Sequence, residues 1–451
     1  DGHNVAVGHD AGKFMTTGVQ NTIVGSTAGD ALTTGTGNVA LGYQALTTED
    51  NHGYNTAIGW RALHTLNAGA NGNNVAVGAD AGLQMTTGYD NVVVGSLAGD
   101  ALTTGIANTA IGKDALGSSV DGDFNTALGY KALEDYEDGD GNGHNTAVGA
   151  RSQLNATTGE FNTSVGSLSI GSGVLTGDNN VSVGYNSGLT MTSGTLNVFV
   201  GSFAGGSMTT GDSNVAVGYL ALGTEDANGN NTAVGRQALG TLNAGQAGNN
   251  TAVGYFAGEK MTTGVENNLF GALAGDALTT GSYNVAIGKG TLSTEDTGSR
   301  NVAIGSRALL SLNYDGNGYN IAIGYDAGLE MTTGQANTLM GGLAGDALTT
   351  GTGNIALGFS AMSAATTEGD TVAIGRAAMS GSTLSQRAVA VGAYALEDQA
   401  HSSLTNTYNT AVGWSAGLNL TTAVRTTIVG GETANAIMTG NDNTLLGYGT
   451  G

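Results

Sequence analysis

The sequence predicts an all-β fold, a parallel β-solenoid or β-roll of about 26 coils, with one coil for every 17 residues. Three observations predict it. An Asn-Thr/Val-Ala-Val/Ile-Gly phrase returns at that spacing, at Asn4, Asn21, Asn38, Asn55, Asn74 and Asn91 and onward to Asn409 and Asn443. Each phrase is a short β-branched, apolar run closed by glycine, the pattern of a strand ending in a turn. Glycine, at 79 of 451 residues, recurs too often for a helix, and the prolines that collagen needs are absent. A short fixed period over a whole chain means stacked units, each touching only its neighbours.

The elements of one coil follow in order from Asn21 to Gly37. Asparagine at position one tolerates the left-handed backbone of a corner, and stacked amides can bond from coil to coil as an Asn ladder. Asn4, Asn21, Asn38, Asn55, Asn74 and Asn91 are the first members. Positions two to four form the strand. With positions two and four inward, Val77 belongs to the core and position three faces out. Yet position three is never charged: it is Ala6, Ile23, Ala40, Val93 or Phe199. A strand apolar on both faces is buried on both, which predicts a second chain against the outside, most simply a homotrimer about a long axis. Position eight is small (Ala28, Ala45, Ala62), and position twelve is Met or Leu where Thr-Thr-Gly follows (Met15, Leu32, Met85, Leu102). Thr-Thr-Gly makes the second corner, its glycine taking positive φ. The coil is thus two short strands and two turns. Coils ~4.8 Å apart give a shaft of roughly 125 Å.

The chain reads as one continuous repeat domain, residues 1–451. Its coils fall into four-coil cassettes of about 70 residues, with extra coils at 145–179 and 388–408. Short insertions, mostly rich in Gly, Asn and Asp, collect near the end of the fourth coil: 67–73, 137–144, 243–249, 313–319 and 398–408. Insertions in a solenoid map to loops on one face, often the contact face.

A net charge of −23 argues against nucleic-acid binding, because nucleic-acid binders are basic. No apolar run reaches the ~20 residues of a membrane span. Without cysteine there is no disulfide. The sharpest chemical motif is Asp138-Gly-Asp140-Gly-Asn142-Gly, the opening of a calcium loop, in which alternating oxygens wrap a hard cation. The closing Glu is missing, since Gly149 stands in its place. Calcium is the one cofactor this pattern admits. The six histidines show no metal-ligand spacing, and no nucleophile elbow or phosphate loop occurs. Acidic residues lie in turns that differ between cassettes, so no glycosidase-like carboxylate pair stands out, and the chain is not expected to be an enzyme. Position six collects aromatics just after the turn: Tyr43, Trp60, Tyr130, Tyr185, Tyr255 and Trp414. These are expected to be exposed, where they can face glycans.

The unit N-T-A-x-G-x-x-A-L, best seen at Asn55–Leu63 and Asn301–Leu309, resembles the head repeats of YadA-like trimeric autotransporter adhesins. It is also similar to the N-T-A-x-G arrays of phage tail fibres. That resemblance implies a trimeric, extracellular or virion-borne β-roll. Its function is then a non-enzymatic fibre shaft, of a phage tail or an extracellular filament, that presents a tip to a host surface. The alternative is a bacterial surface adhesin with a glycan or protein receptor. The chain opens just before a repeat and stops within one, with no polar cap. This predicts a piece of something longer, or head-to-tail stacking into a filament.

Overall fold

The computed structural model describes residues 2–69, 71–137, 142–436 and 438–451. Each repeat places a three-residue strand directly after position one. Successive strands pair in parallel and in register, as in Val75↔Val92, Ala76↔Val93 and Val77↔Val94. The fold is an all-β parallel β-solenoid of about 26 turns, with no helix among the described residues. It has two compact units. Unit Asp1–Gly229 carries the strands from Val5–Val7 to Val215–Val217. Unit Asn230–Gly451 carries those from Thr232–Val234 to Thr444–Leu446. The additional coils each hold a strand, at Thr146–Val148, Thr163–Val165 and Val389–Val391.

Position three, not two and four, fills the core. Ile23, Ala40, Ala76, Val93 and Phe199 are fully buried. Val77 is only half-buried, so its expected core place belongs to Ala76. The interior is too narrow for a large residue at every inward site. Positions nine and twelve share the space beside position three, and in coils with Ala there both can be large, as with Leu63 and Leu66. Where nine is glycine, twelve is large: a Cβ on Gly29 would stand 2.9 Å from Leu32 Cδ1 and 3.2 Å from Ile23 Cδ1. Where nine is Leu46, Leu222 or Leu292, position twelve is a fully buried glutamate, Glu49, Glu225 or Glu295. Each of these carboxylates accepts a backbone N–H three residues on, from His52 (3.0 Å), Asn228 (3.1 Å) and Gly298 (2.7 Å). A buried charge needs such partners.

The corners depend on left-handed backbone at fixed places. The strand-closing glycine is obligatory: Gly129 has φ +143°, and a Cβ there would lie 2.5 Å from Gly149 O of the next coil. Positions seven, nine and seventeen are also left-handed, usually without glycine, as at Arg61 (φ 53°), Leu63 (φ 49°) and Tyr54 (φ 64°). The Thr-Thr-Gly glycine differs from expectation. Gly18 and Gly105 do not have positive φ. They are there for closeness, since a Cβ on either would sit 2.6 Å from the carbonyl of Gly35 or Gly122.

The second strand of each coil is mostly absent, because left-handed residues interrupt extended geometry. Among the described residues it survives as Thr383–Gln386 paired with Ala400–Asn406, and as isolated bridges such as Ala156↔Leu175. Elsewhere that limb is joined by single bonds between coils, such as Thr86 N–H to Thr103 O at 2.9 Å.

The asparagines at position one form a ladder of a different kind from stacked amides. The backbone N–H of Asn21, Asn38, Asn55, Asn74 and Asn91 donates to Oδ1 of the preceding member, from Asn4 onward, at 2.8–3.1 Å. The amide nitrogen instead reaches a main-chain carbonyl across the coil, as from Asn91 Nδ2 to Gly105 O at 2.8 Å. Direct amide–amide contact is secondary, at 3.2 Å for Asn21 to Asn4 and 3.4 Å for Asn74 to Asn55.

Candidate functional site

Three surfaces are candidates. The first is the outward face of the strands. Position two is Val, Thr or Ile, with Asn268 the exception, and position four is Val, Ile, Leu, Met or Phe. Leu41, Ile111, Leu128, Phe270, Met340 and Ile374 are exposed on it at position four. No charged residue occurs at either position in the solenoid strands. Side chains of parallel in-register strands stack directly, so each unit carries an unbroken apolar row at position four beside an uncharged row of Val, Ile and Thr at position two.

The second surface holds the aromatics of position six. Tyr43, Trp60, Tyr130, Tyr185, Tyr255 and Trp414 are between 41% and 53% exposed. They share one place on the coil but do not form a continuous row, since Ser26, Ala79 and Ser96 occupy the same place elsewhere. Several carry a cation. Arg61 lies 3.9 Å over the Trp60 ring while its Nε donates to Asp80 at 2.8 Å. Arg307 lies 5.2 Å over Tyr325 and pairs with Asp326.

The third surface was not anticipated from the sequence. The left-handed residue ahead of each position-one residue is outward in most coils, and neighbours in this column interact. Phe124, His144 and Phe161 stack at 4.8 and 5.1 Å, nearly parallel. Arg300 lies between Tyr283 (5.4 Å) and Tyr319 (5.8 Å), and Arg425 meets Asp442 at 2.6 Å. The available signal was the fixed offset of these residues from the asparagine.

Of the calcium-like motif, Asp138 and Asp140 lie outside the described residues; Asn142 is exposed. A different set, Glu49, Asp50 and His52, brings ligand atoms within 4.8 Å of one another. Its buried member is already engaged, because Glu49 Oε1 accepts His52 N–H and meets His52 Nδ1 at 3.1 Å. Asn228 and Gly298 replace His52 around Glu225 and Glu295 with the same backbone bond. The arrangement therefore serves the coil without any histidine. Position one is fully buried at Asn21, Asn38, Asn55, Asn74 and Asn91 and faces no ligand.

Burial, with Asp114 and Asp80 nearby, lifts Asp100 to about 6. A hollow of about 530 Å³ is lined by Asp296, Asn313, Tyr314, Asp315 and Thr333 beside one insertion. Asp315 there accepts the Thr297 hydroxyl at 2.6 Å. Compared with known proteins, the chain matches no family model and no curated protein.

Proposed function

We propose that this chain is a non-enzymatic structural shaft, the repeat portion of a virion tail fibre or comparable extracellular filament, assembled from identical chains around a common axis. The observation that carries the proposal is the charge-free band at positions two and four, apolar throughout at position four. The chain has a net charge of −23, so like-charge repulsion opposes contact between copies wherever charges lie. The strand face is the surface without that penalty. Large apolar bands on soluble proteins mark interaction sites, and closed cyclic symmetry is the common outcome for identical chains. Three copies would turn their bands inward and leave the position-six aromatics outside. The surface-adhesin alternative draws on those aromatics, which stay available for a receptor.

Sedimentation velocity of the full chain, alongside an Ile111→Asp/Leu128→Asp variant, tests the assembly. The expected result is a three-chain mass for the parent and a single-chain mass for the variant, with unchanged circular dichroism. A parent that sediments as one chain at all concentrations would overturn the proposal.

A further inference from the structure

We propose that a hollow on unit Asn230–Gly451, between Phe359 and Tyr394, is a binding site for a neutral sugar. The hollow encloses about 400 Å³, and its walls include Phe359, Ser380, Arg376, Tyr394, Glu397 and Asp398. Three successive coils build it. Ala377 N–H bonds to Phe359 O at 2.9 Å, and Tyr394 N–H bonds to Arg376 O at 3.0 Å, so the three rows are fixed by backbone ladders. No assembly of chains is required, which makes the site independent of the shaft proposal.

The chemistry of the walls selects the ligand class. Phe359 is 58% exposed, so most of its ring is open to a ligand. The C–H face of a pyranose packs on such a ring, while its hydroxyls need fixed donors and acceptors around the rim. Arg376 supplies the donors. Its guanidinium lies 4.6 Å over the Tyr394 ring, which holds the planar fork in place. Two other arginines stacked on aromatics pair with an aspartate, Arg61 with Asp80 and Arg307 with Asp326, whereas Arg300 bonds the Tyr319 hydroxyl. Arg376 forms no ion pair among the described residues, although Glu397 and Asp398 line the same hollow. Glu397 is steadied by the Ser380 hydroxyl at 3.3 Å and, with Asp398, supplies the acceptors. Donors and acceptors that face one hollow without a direct ion pair between them are suited to vicinal hydroxyls, although the Arg376 charge acts on Glu397 through space. Two carboxylates against one guanidinium, on a chain of net charge −23, disfavour acidic sugars.

Saturation-transfer NMR on the full chain tests this with methyl α-mannopyranoside, methyl β-galactopyranoside, methyl β-glucopyranoside, N-acetylglucosamine and N-acetylneuraminic acid. The expected result is transfer to at least one neutral sugar and none to the acidic one. Phe359→Ala and Arg376→Gln should each weaken binding roughly tenfold or more, while Phe14→Ala, at an exposed ring on the other unit, leaves it unchanged. Both altered side chains are exposed, and matching circular dichroism will show that the variants fold. Absence of transfer to every neutral sugar, or transfer undiminished in both variants, overturns the proposal. A single-chain mass in sedimentation would leave this result untouched, so the two proposals fail separately.

Discussion

Glu295 and Gly298 are joined inside the coil: the glutamate Oε1 accepts the glycine N–H at 2.7 Å, in a place where other coils bury Leu or Met. The other oxygen accepts Tyr314 N–H at 3.3 Å, so one carboxylate ties the third coil of a cassette to the insertion in the fourth. Burial pushes Glu295 up from 4.5 to about 7, against the lowering effect of these two bonds. The folded chain therefore holds this proton up to a higher pH than the unfolded chain. The stability contributed is complete below about 4.5 and is lost as pH rises through about 7. Glu295→Gln should remove that dependence and gain on the order of 2 kcal/mol above neutrality. Amide exchange at Gly298 and Tyr314, followed across this range, reads it directly. Identical pH profiles for parent and variant would contradict the assignment.

Gly129→Ala should be among the most damaging single-methyl changes in the chain. It places a Cβ 2.5 Å from Gly149 O at φ +143°, and the cost is expected at roughly 2–4 kcal/mol. Gly69→Ala is the control. Gly69 has φ +68° and nothing within 4 Å, so only the left-handed penalty of about 1 kcal/mol remains. Chemical denaturation of the two variants should separate them clearly.

Asn91 accepts Asn108 N–H at 2.9 Å and donates to Gly105 O at 2.8 Å. Asn91→Ala leaves both buried groups without a partner, at roughly 2–4 kcal/mol. Asn91→Asp keeps the acceptor but loses the donor and brings in a buried charge, so it should rescue nothing. Faster exchange of the Asn108 amide in both variants is the expected observation, and protection equal to the parent would refute it.

Ala76 and Val77 are neighbours with opposite fates. Ala76→Asp puts an unpaired charge in the core and should cost several kcal/mol. Val77→Asp puts it on the outward band and should leave the fold of a single chain intact. Melting temperatures compared under conditions where the chain is monomeric decide this, and equal losses for the two variants would contradict the assigned faces.

The period, the strand positions and the strand-closing glycine were legible because each repeats with almost no variation. The facing of the strand was not. Positions two, three and four are never charged and are mostly apolar, so alternation gave no sign, and the informative cue was size. Position three is mostly Ala, while Val, Ile and Leu sit on either side, as a cramped interior requires. Glu49, Glu225 and Glu295 were equally opaque. Thr-Glu-Asp reads as a solvated turn, and no residue around it announces that its glutamate is buried. The second strand was overpredicted because nothing in Arg61 or Leu63 announces positive φ. The aromatics of position six were placed outside on the strength of the turn that precedes them. The hollow at Phe359 was invisible, since it needs three coils to close it.

The left-handed column ahead of the asparagines separates what the molecule is from what it displays. Asp90, Leu196 and Arg300 occupy equivalent places, each held by a backbone bond to the previous coil, at 2.8, 3.1 and 3.1 Å. An acid, a hydrocarbon and a base are thus all carried there on the same main-chain bond. Such a scaffold can be reworded one side chain at a time. New surface specificities can accumulate by mutation along an unchanging frame, much as type is reset in a fixed forme.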